Sequence, residues 1–386
     1  MNESTGLSRQ LFDSYEKYRL DDLSPANCKH DAVEKVLNGV VADSGGLLHM
    51  ENVGRSLEGR SINLIRCGTG ETKVLLWSQM HGDEPTATLA LVDVFSYLTS
   101  GTGEEWIRSM LKEITIHAIP MLNPDGAERA QRRTASNIDV NRDARALMTP
   151  EACILKETRD RLQPAFGFNL HDQELSSVGQ STNVAAIALL APAPDHERTI
   201  PAVRMKAIQV AALIARELKL FAEGHLAKYD DTHEPRAFGD SMQGWGTSTV
   251  LIESGHWPGD PGKRFIRKLN FVSLLRGFAS IAQKEYIGVD RHHYNSLEQN
   301  GKRMYELIIR DILIEHTTGW TARVDVAVSR NAGSGENGLV TVRDLGDLST
   351  FGALGTMSAK GKRVSHQLLA PEVSIPLAHL IDAHPS

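Results

Sequence analysis

Hydrophobic and polar positions follow different rhythms in different parts of this chain. From about residue 47, short apolar runs at 61–67, 73–80 and 113–121 are separated by an amphipathic stretch at 86–99. That alternation of strands and helices builds a mostly parallel sheet with helices on its faces. Runs at 164–170 and 248–252 extend the sheet, and an Ala-rich stretch at 200–220 supplies a long helix between them. Stretches at 262–286 and 297–315 read as closing helices. Ahead of this body, residues 7–18 and 30–37 are amphipathic patches in a polar segment, and they predict short helices that cover something rather than form a domain. Beyond residue 319 the character changes to strand-like runs at 320–328, 338–342 and 362–369, with Gly- and Ser-rich turns at 331–337 and 348–361. The expected architecture is an α/β fold: a mixed, mostly parallel sheet flanked by helices over residues 1–316, with 1–45 as a helical cover. A small β-rich C-terminal domain follows over 317–386.

Composition narrows the function classes. The chain has 386 residues, enough for a large α/β domain with an appendage. Hydrophobic residues at 41% and charged residues at 23% exclude intrinsic disorder for the bulk. A net charge of -6 offers no footprint for a phosphate backbone, so no nucleic-acid partner is expected. Cys28, Cys67 and Cys153 are too few for a disulfide framework, and no CxxC pair suggests a thiolate metal site. The N-terminus has no apolar signal core, and no run of about 18 apolar residues suits a membrane. A soluble, cytoplasmic protein without a membrane partner is the expectation.

In open α/β sheets, ligands bind at the carboxyl ends of the strands, so polar residues just after an apolar run come first. One run leads into His81-Gly-Asp-Glu84-Pro85, where three residues across a Gly-containing turn let an imidazole and a carboxylate converge on one ion. Another leads into His171-Asp172-Gln173, and a third ligand there completes a His₂Glu set, which leaves a tetrahedral zinc one open position. A third run leads into Glu253-Ser254-Gly255-His256, placing a carboxylate at the same rim. Each piece alone has a bland reading: Glu84 favouring a helix N-terminus, His171 satisfied at a strand end, Glu253 capping or pairing.

A fourth segment joins these. The run at 113–121 ends in Asn123-Pro124-Asp125-Gly126, followed by Arg132-Arg133 and then Asp139-Val-Asn141-Arg142-Asp143. HxxE, NPDG, Arg followed by DxNR, a distant His and a late Glu occur in the order of the zinc metallocarboxypeptidase family, which residues 40–290 resemble. The wording WSQMHGDEPTAT, FNLHDQ and IESGHWPGD is similar to bacterial members without secretion signals. The resemblance implies the carboxypeptidase A-like fold and one Zn²⁺ per chain held by His81, Glu84 and His171. It further implies Glu253 as general base toward a zinc-activated water, and Arg132, or alternatively Arg133, as the residue that polarises the scissile carbonyl. Asn141 and Arg142 match the pair that holds a substrate's terminal carboxylate. The implied reaction is hydrolysis of an amide bond beside a free C-terminal carboxylate, in a peptide or small amide substrate.

The sequence also departs from the family. A mobile Tyr usually precedes the catalytic Glu, and Tyr229 in KYDD is the nearby tyrosine. Asp172 and Asp143 stand where the family often carries a hydroxyl residue and an Asn, which places extra negative charge near the expected site. Two other classes fit the scaffold: a zinc amidohydrolase acting on small N-acyl amino acids, and a non-catalytic binding protein. All three ligands and Glu253 are present, which argues against the latter.

Overall fold

The computed structural model describes residues 3–101, 103–330 and 338–381. Helices α1 (Glu3–Ser14) and α2 (His30–Asp43) precede the hairpin of β1 (Leu48–Arg55) and β2 (Ser61–Gly68). Then follow β3 (Thr72–Ser78), α3 (Thr86–Ser100), α4 (Glu105–Glu113), β4 (Ile114–Ile119), α5 (Pro124–Glu128), α6 (Pro150–Leu162) and β5 (Phe166–Asp172). A short β6 (Ser177–Val178) leads to β7 (Ile187–Leu190), α7 (Ala202–Ala222), β8 (Leu226–Lys228), α8 (Phe238–Gly244), β9 (Ser248–Ser254) and α9 (Arg264–Gln283). These residues divide into two compact units.

The first unit holds a sheet in the order β1-β2-β4-β3-β5-β9-β7-β8. It is parallel at β4-β3-β5-β9 and at β7-β8, and antiparallel elsewhere. The central strands read as unbroken apolar runs because both faces are covered. On one face Phe168 of β5 meets Phe278 of α9 edge-on at 5.8 Å, and Gly277 permits the approach, since a Cβ there would stand 2.9 Å from the Phe168 ring. On the other face Leu75 and Trp77 of β3 share a core with Ala152 and Leu155 of α6 and with Phe238 and Met242 of α8. The N-terminal segment is held by a buried carboxylate on α3. Asp93 accepts from Tyr15 Oη at 2.8 Å, the Leu20 N–H at 3.0 Å and Arg267 Nε of α9 at 2.6 Å.

The second unit gathers residues 174–185, 256–261 and the chain from Asn300 onward, whereas the sequence pattern set its start at 317. In it β6 pairs with β10 (Asn300–Gly301). Its main sheet is built on β11 (Met304–Glu315), with β12 (Thr321–Arg330), β13 (Leu339–Gly346), β14 (Gly352–Ser358), β15 (Arg363–Ser365) and β16 (Ser374–Pro376).

Three expectations need correction here. Residues 297–315 were expected to be a helix, yet most of the stretch is strand β11. Leu307, Ile309, Ile312 and Ile314 share one core, and a bulge between Ile309 and Ile312 places Asp311 at φ 67°. The bulge turns a period of two into a step of three, which imitates helical spacing. Residues 348–361 were expected to be a turn, but they contain β14, whose small residues pair in parallel with β11. The run at 362–369 is strand only over Arg363–Ser365, followed by a single helical turn. The turn expected at 331–337 lies outside the described residues. No helix among the described residues is long and apolar enough to cross a membrane.

Candidate active site

Strands β3, β5 and β9 run parallel, so their carboxyl ends form one rim. After β3 the chain turns at Gln79, whose φ of 49° lies in the left-handed region, and Gln79 Nε2 donates to the Gly82 carbonyl at 3.0 Å. Gly82 is required by a close approach: a Cβ there would lie 2.0 Å from the carbonyl carbon of Gly126. The turn carrying His81 and Glu84 therefore packs backbone to backbone on the NPDG turn. Asn123 braces both, accepting the Gly126 N–H at 2.9 Å and donating to the Met80 carbonyl at 3.2 Å.

Three candidate ligands converge at this rim. His81 Nδ1 lies 2.7 Å from Glu84 Oε1 and His171 Nδ1 lies 2.8 Å from Glu84 Oε2. One ligand atom from each of the three buried residues lies within 4.8 Å of the others. Burial opposes ionisation of Glu84, yet the two imidazoles hold its carboxyl well below the usual range. The other ring nitrogen of His81, Nε2, lies 3.0 Å from Asp139 Oδ1. A neutral imidazole carries one N–H, so acceptors on both nitrogens call for a cation, either a proton or a metal ion, on one of them. Burial works against a charged His81, but Asp139 and Glu84 outweigh it and raise its pKa. Two imidazoles and one carboxylate are the donor set of an open tetrahedral zinc site, and a carboxylate behind a ligating His is the usual partner that fixes its ring. The residues fit zinc.

Glu253 of β9 sits opposite His171 of β5 in the parallel register. Its Oε2 is buried with no hydrogen-bond partner. Burial, with help from the Glu84 and Asp172 carboxylates and against the pull of His171 and Arg132, pushes its carboxyl up to about 8. The site thus holds a carboxylate that burial leaves willing to take a proton.

The adjacent arginines separate. Arg132 reaches the cluster, donating through Nε to Asp139 Oδ2 at 3.1 Å and through Nη1 to Glu84 Oε1 at 3.4 Å. Arg133 donates instead to the Asn137 carbonyl at 3.1 Å, in an exposed position. Asn141 is buried, with its Oδ1 accepting the Phe238 N–H of α8 at 3.0 Å. Arg142 donates to the Asn141 carbonyl at 2.7 Å and lies 3.6 Å from Glu234, with its side chain 40% exposed. Tyr229 follows β8, and its phenol is pushed up to about 12, first by burial and then by the charge of Glu253.

The extra acidic residues behave differently from a charge offered at the site. Asp143 accepts the Met148 and Thr149 N–H groups at 3.0 and 2.8 Å and the Thr149 hydroxyl at 2.9 Å, which makes it a brace at the start of α6. Asp172 accepts from Thr86 Oγ1 at 2.5 Å and from Lys263 Nζ at 3.0 Å, so a cation already answers its charge. Sequence reasoning missed Asp139, Glu234 and Lys263 as parts of this arrangement. Asp139 carried a signal, its place two residues before Asn141; Glu234 and Lys263 carried none, because each is brought in from a loop by the fold.

Comparison with known proteins identifies the family and the fold. A family model described as zinc carboxypeptidase matches residues 33–226, about half of the chain, which includes every candidate residue except Tyr229 and Glu253. The chain is similar to Carboxypeptidase SOL1 of Arabidopsis thaliana, at 25% identity over 145 residues, covering 36% of this chain and 30% of that protein. It is similar to Carboxypeptidase M of Mus musculus, at 27% identity over 132 residues, covering 29% of each. The matches therefore span under a third of these relatives' own lengths. A solved metallo-carboxypeptidase from Burkholderia cenocepacia shares the fold with a TM-score of 0.53 at 17% identity, covering 66% of this chain and 69% of that one.

Proposed function

The chain belongs to the zinc carboxypeptidase family, and from that premise we propose that it hydrolyses the amide bond beside a free C-terminal carboxylate. The observation that carries the proposal is the convergence of His81, Glu84 and His171, with Glu253 one strand away in register. His81, Glu84 and His171 hold the metal, and zinc in that place supplies Lewis acidity that polarises a carbonyl and acidifies water.

The remaining steps belong to side chains. Glu253 takes the proton of the attacking water and returns it to the leaving amine, a task for which its register opposite His171 places it. Arg132, fixed by Asp139 and Glu84, presents a permanent positive charge to the oxygen on which negative charge develops. Arg142 and Asn141 receive the substrate's terminal carboxylate, for which a guanidinium fork is the natural partner. Tyr229, whose phenol feels the charge of Glu253, is the tyrosine assigned to the substrate side of the site.

The reading is tested with zinc-loaded protein, an N-blocked peptide library varying in the last residue and a matched set of N-acyl amino acids. Release of single C-terminal residues from the peptides is the expected result. Turnover confined to N-acyl amino acids instead assigns the site to small-molecule deacylation, and no turnover of either set with full zinc content contradicts an enzymatic role.

A further inference from the structure

A second site lies in the first unit on elements that carry none of the candidate active-site residues. A cavity of about 350 Å³ is lined from β1 by His49 and Glu51, from β2 by Arg66, from β4 by His117 and from the last turn of α6 by Arg161. Register explains the grouping. His49 pairs with Arg66 across β1 and β2, and Arg66 pairs with His117 across β2 and β4, so three basic side chains form one row on one face of the sheet.

Two of these groups are prepared for a ligand. His117 is only 6% exposed, lines the cavity, and its ring makes no hydrogen bond among the described residues. Arg66 makes no hydrogen bond or ion pair among the described residues. The other charges facing His117 are accounted for: Arg161 bonds Glu51 at 3.0 Å, and Lys73 of β3 bonds the Leu162 carbonyl at 3.1 Å. Burial first, then the charges of Lys73, Arg66 and Arg161 against that of Glu51, hold the His117 ring neutral by pushing its pKa down to about 4. An anion in the cavity opposes that shift.

We propose that this cavity is a binding site for a phosphate group, anchored by Arg66 and His117 from the sheet and approached by Arg161 from the helix. Donors from a floor and a wall suit the three-oxygen face of a tetrahedral anion better than a planar carboxylate. An Arg fork matches phosphate oxygens two at a time. The volume exceeds that of a bare phosphate ion and leaves room for the organic part of a monoester.

The test titrates the zinc-loaded full chain with inorganic phosphate, glycerol 2-phosphate and acetate by calorimetry, following the His117 imidazole by NMR. Saturable binding of both phosphates, with acetate at least tenfold weaker and the His117 pKa moved upward, is expected; tighter binding of the ester identifies an ester as the natural source. Because phosphate also has affinity for zinc sites, Arg66→Ala is measured in parallel. This exposed substitution should weaken phosphate at least tenfold while zinc content and peptide hydrolysis stay unchanged, and His117→Gln should act in the same direction. No saturable binding, acetate binding as tight as phosphate, or binding indifferent to Arg66→Ala overturns the proposal.

Discussion

His171 and Glu253 stand opposite one another on adjacent parallel strands, so their side chains leave the same face of the sheet at the same level. A candidate ligand and a candidate base are thus positioned by one stretch of backbone pairing rather than by mobile loops. Glu253→Gln keeps shape and hydrogen bonding but cannot take a proton. Its kcat should fall by about 10²–10⁴, the usual worth of a general base, with KM and zinc content unchanged because the lost interaction belongs to the transition state. Steady-state kinetics beside elemental analysis decide it, and near-normal turnover in a metal-replete variant removes Glu253 from the mechanism.

Asp139 acts through His81. With Asn in its place the Nε2 hydrogen bond weakens and the ring loses its fixed orientation, so Asp139→Asn should lower zinc affinity about 10–100-fold. Competition against a calibrated chelator measures this directly. Unchanged affinity shows that the 3.0 Å contact plays no part in holding the metal.

The two adjacent arginines should differ sharply. Arg132→Ala removes the charge beside Glu84 and Asp139 and should cost about 10²–10³ in kcat, the scale of one lost oxyanion donor. Arg133→Ala removes a contact with the Asn137 carbonyl and should leave kcat within twofold. Reversal of that order reassigns the role to Arg133.

Stability should carry the signature of His117. Its folded pKa of about 4 lies below the ordinary imidazole value of 6.5, so between those limits the unfolded chain binds more protons than the folded one. The neutral ring's contribution is complete above pH 6.5 and is lost as pH falls toward 4. Denaturant unfolding across that window should show wild type losing up to about 1.4 kcal/mol per pH unit more than His117→Phe. Parallel pH profiles for the two proteins contradict the assignment.

Much of the candidate site was legible because its residues sit at or just after the carboxyl ends of apolar strands. His81 and Glu84 follow β3, and His171 and Glu253 are the penultimate residues of β5 and β9, so strand periodicity and motif spacing pointed to one rim. What failed was structure set by long-range pairing. The β11 bulge at Asp311 disguised a strand as a helix, and β14 is a run of small residues that becomes a strand only by pairing with β11. The gathering of residues 174–185 and 256–261 with the C-terminal chain depends on segments far apart in sequence. The partners Lys263 of Asp172 and Glu234 of Arg142 are likewise products of the fold. The acidic residues 143 and 172, read from sequence as charge near the site, are a backbone brace and half of an ion pair.

The central claim is recognition of a terminal carboxylate, and one double comparison tests it most directly. The kcat/KM for a free-acid peptide and its C-terminal amide is measured with the parent protein and with Arg142→Ala. Amidation leaves the guanidinium without its charged partner, which typically costs about 1.5–3 kcal/mol, so the parent should cleave the amide at least tenfold more slowly. Arg142→Ala should show a similar loss on the free acid and little further loss on the amide, because both changes remove one contact. Equal cleavage of acid and amide by the parent contradicts the account and leaves Arg142 as a structural partner of Glu234.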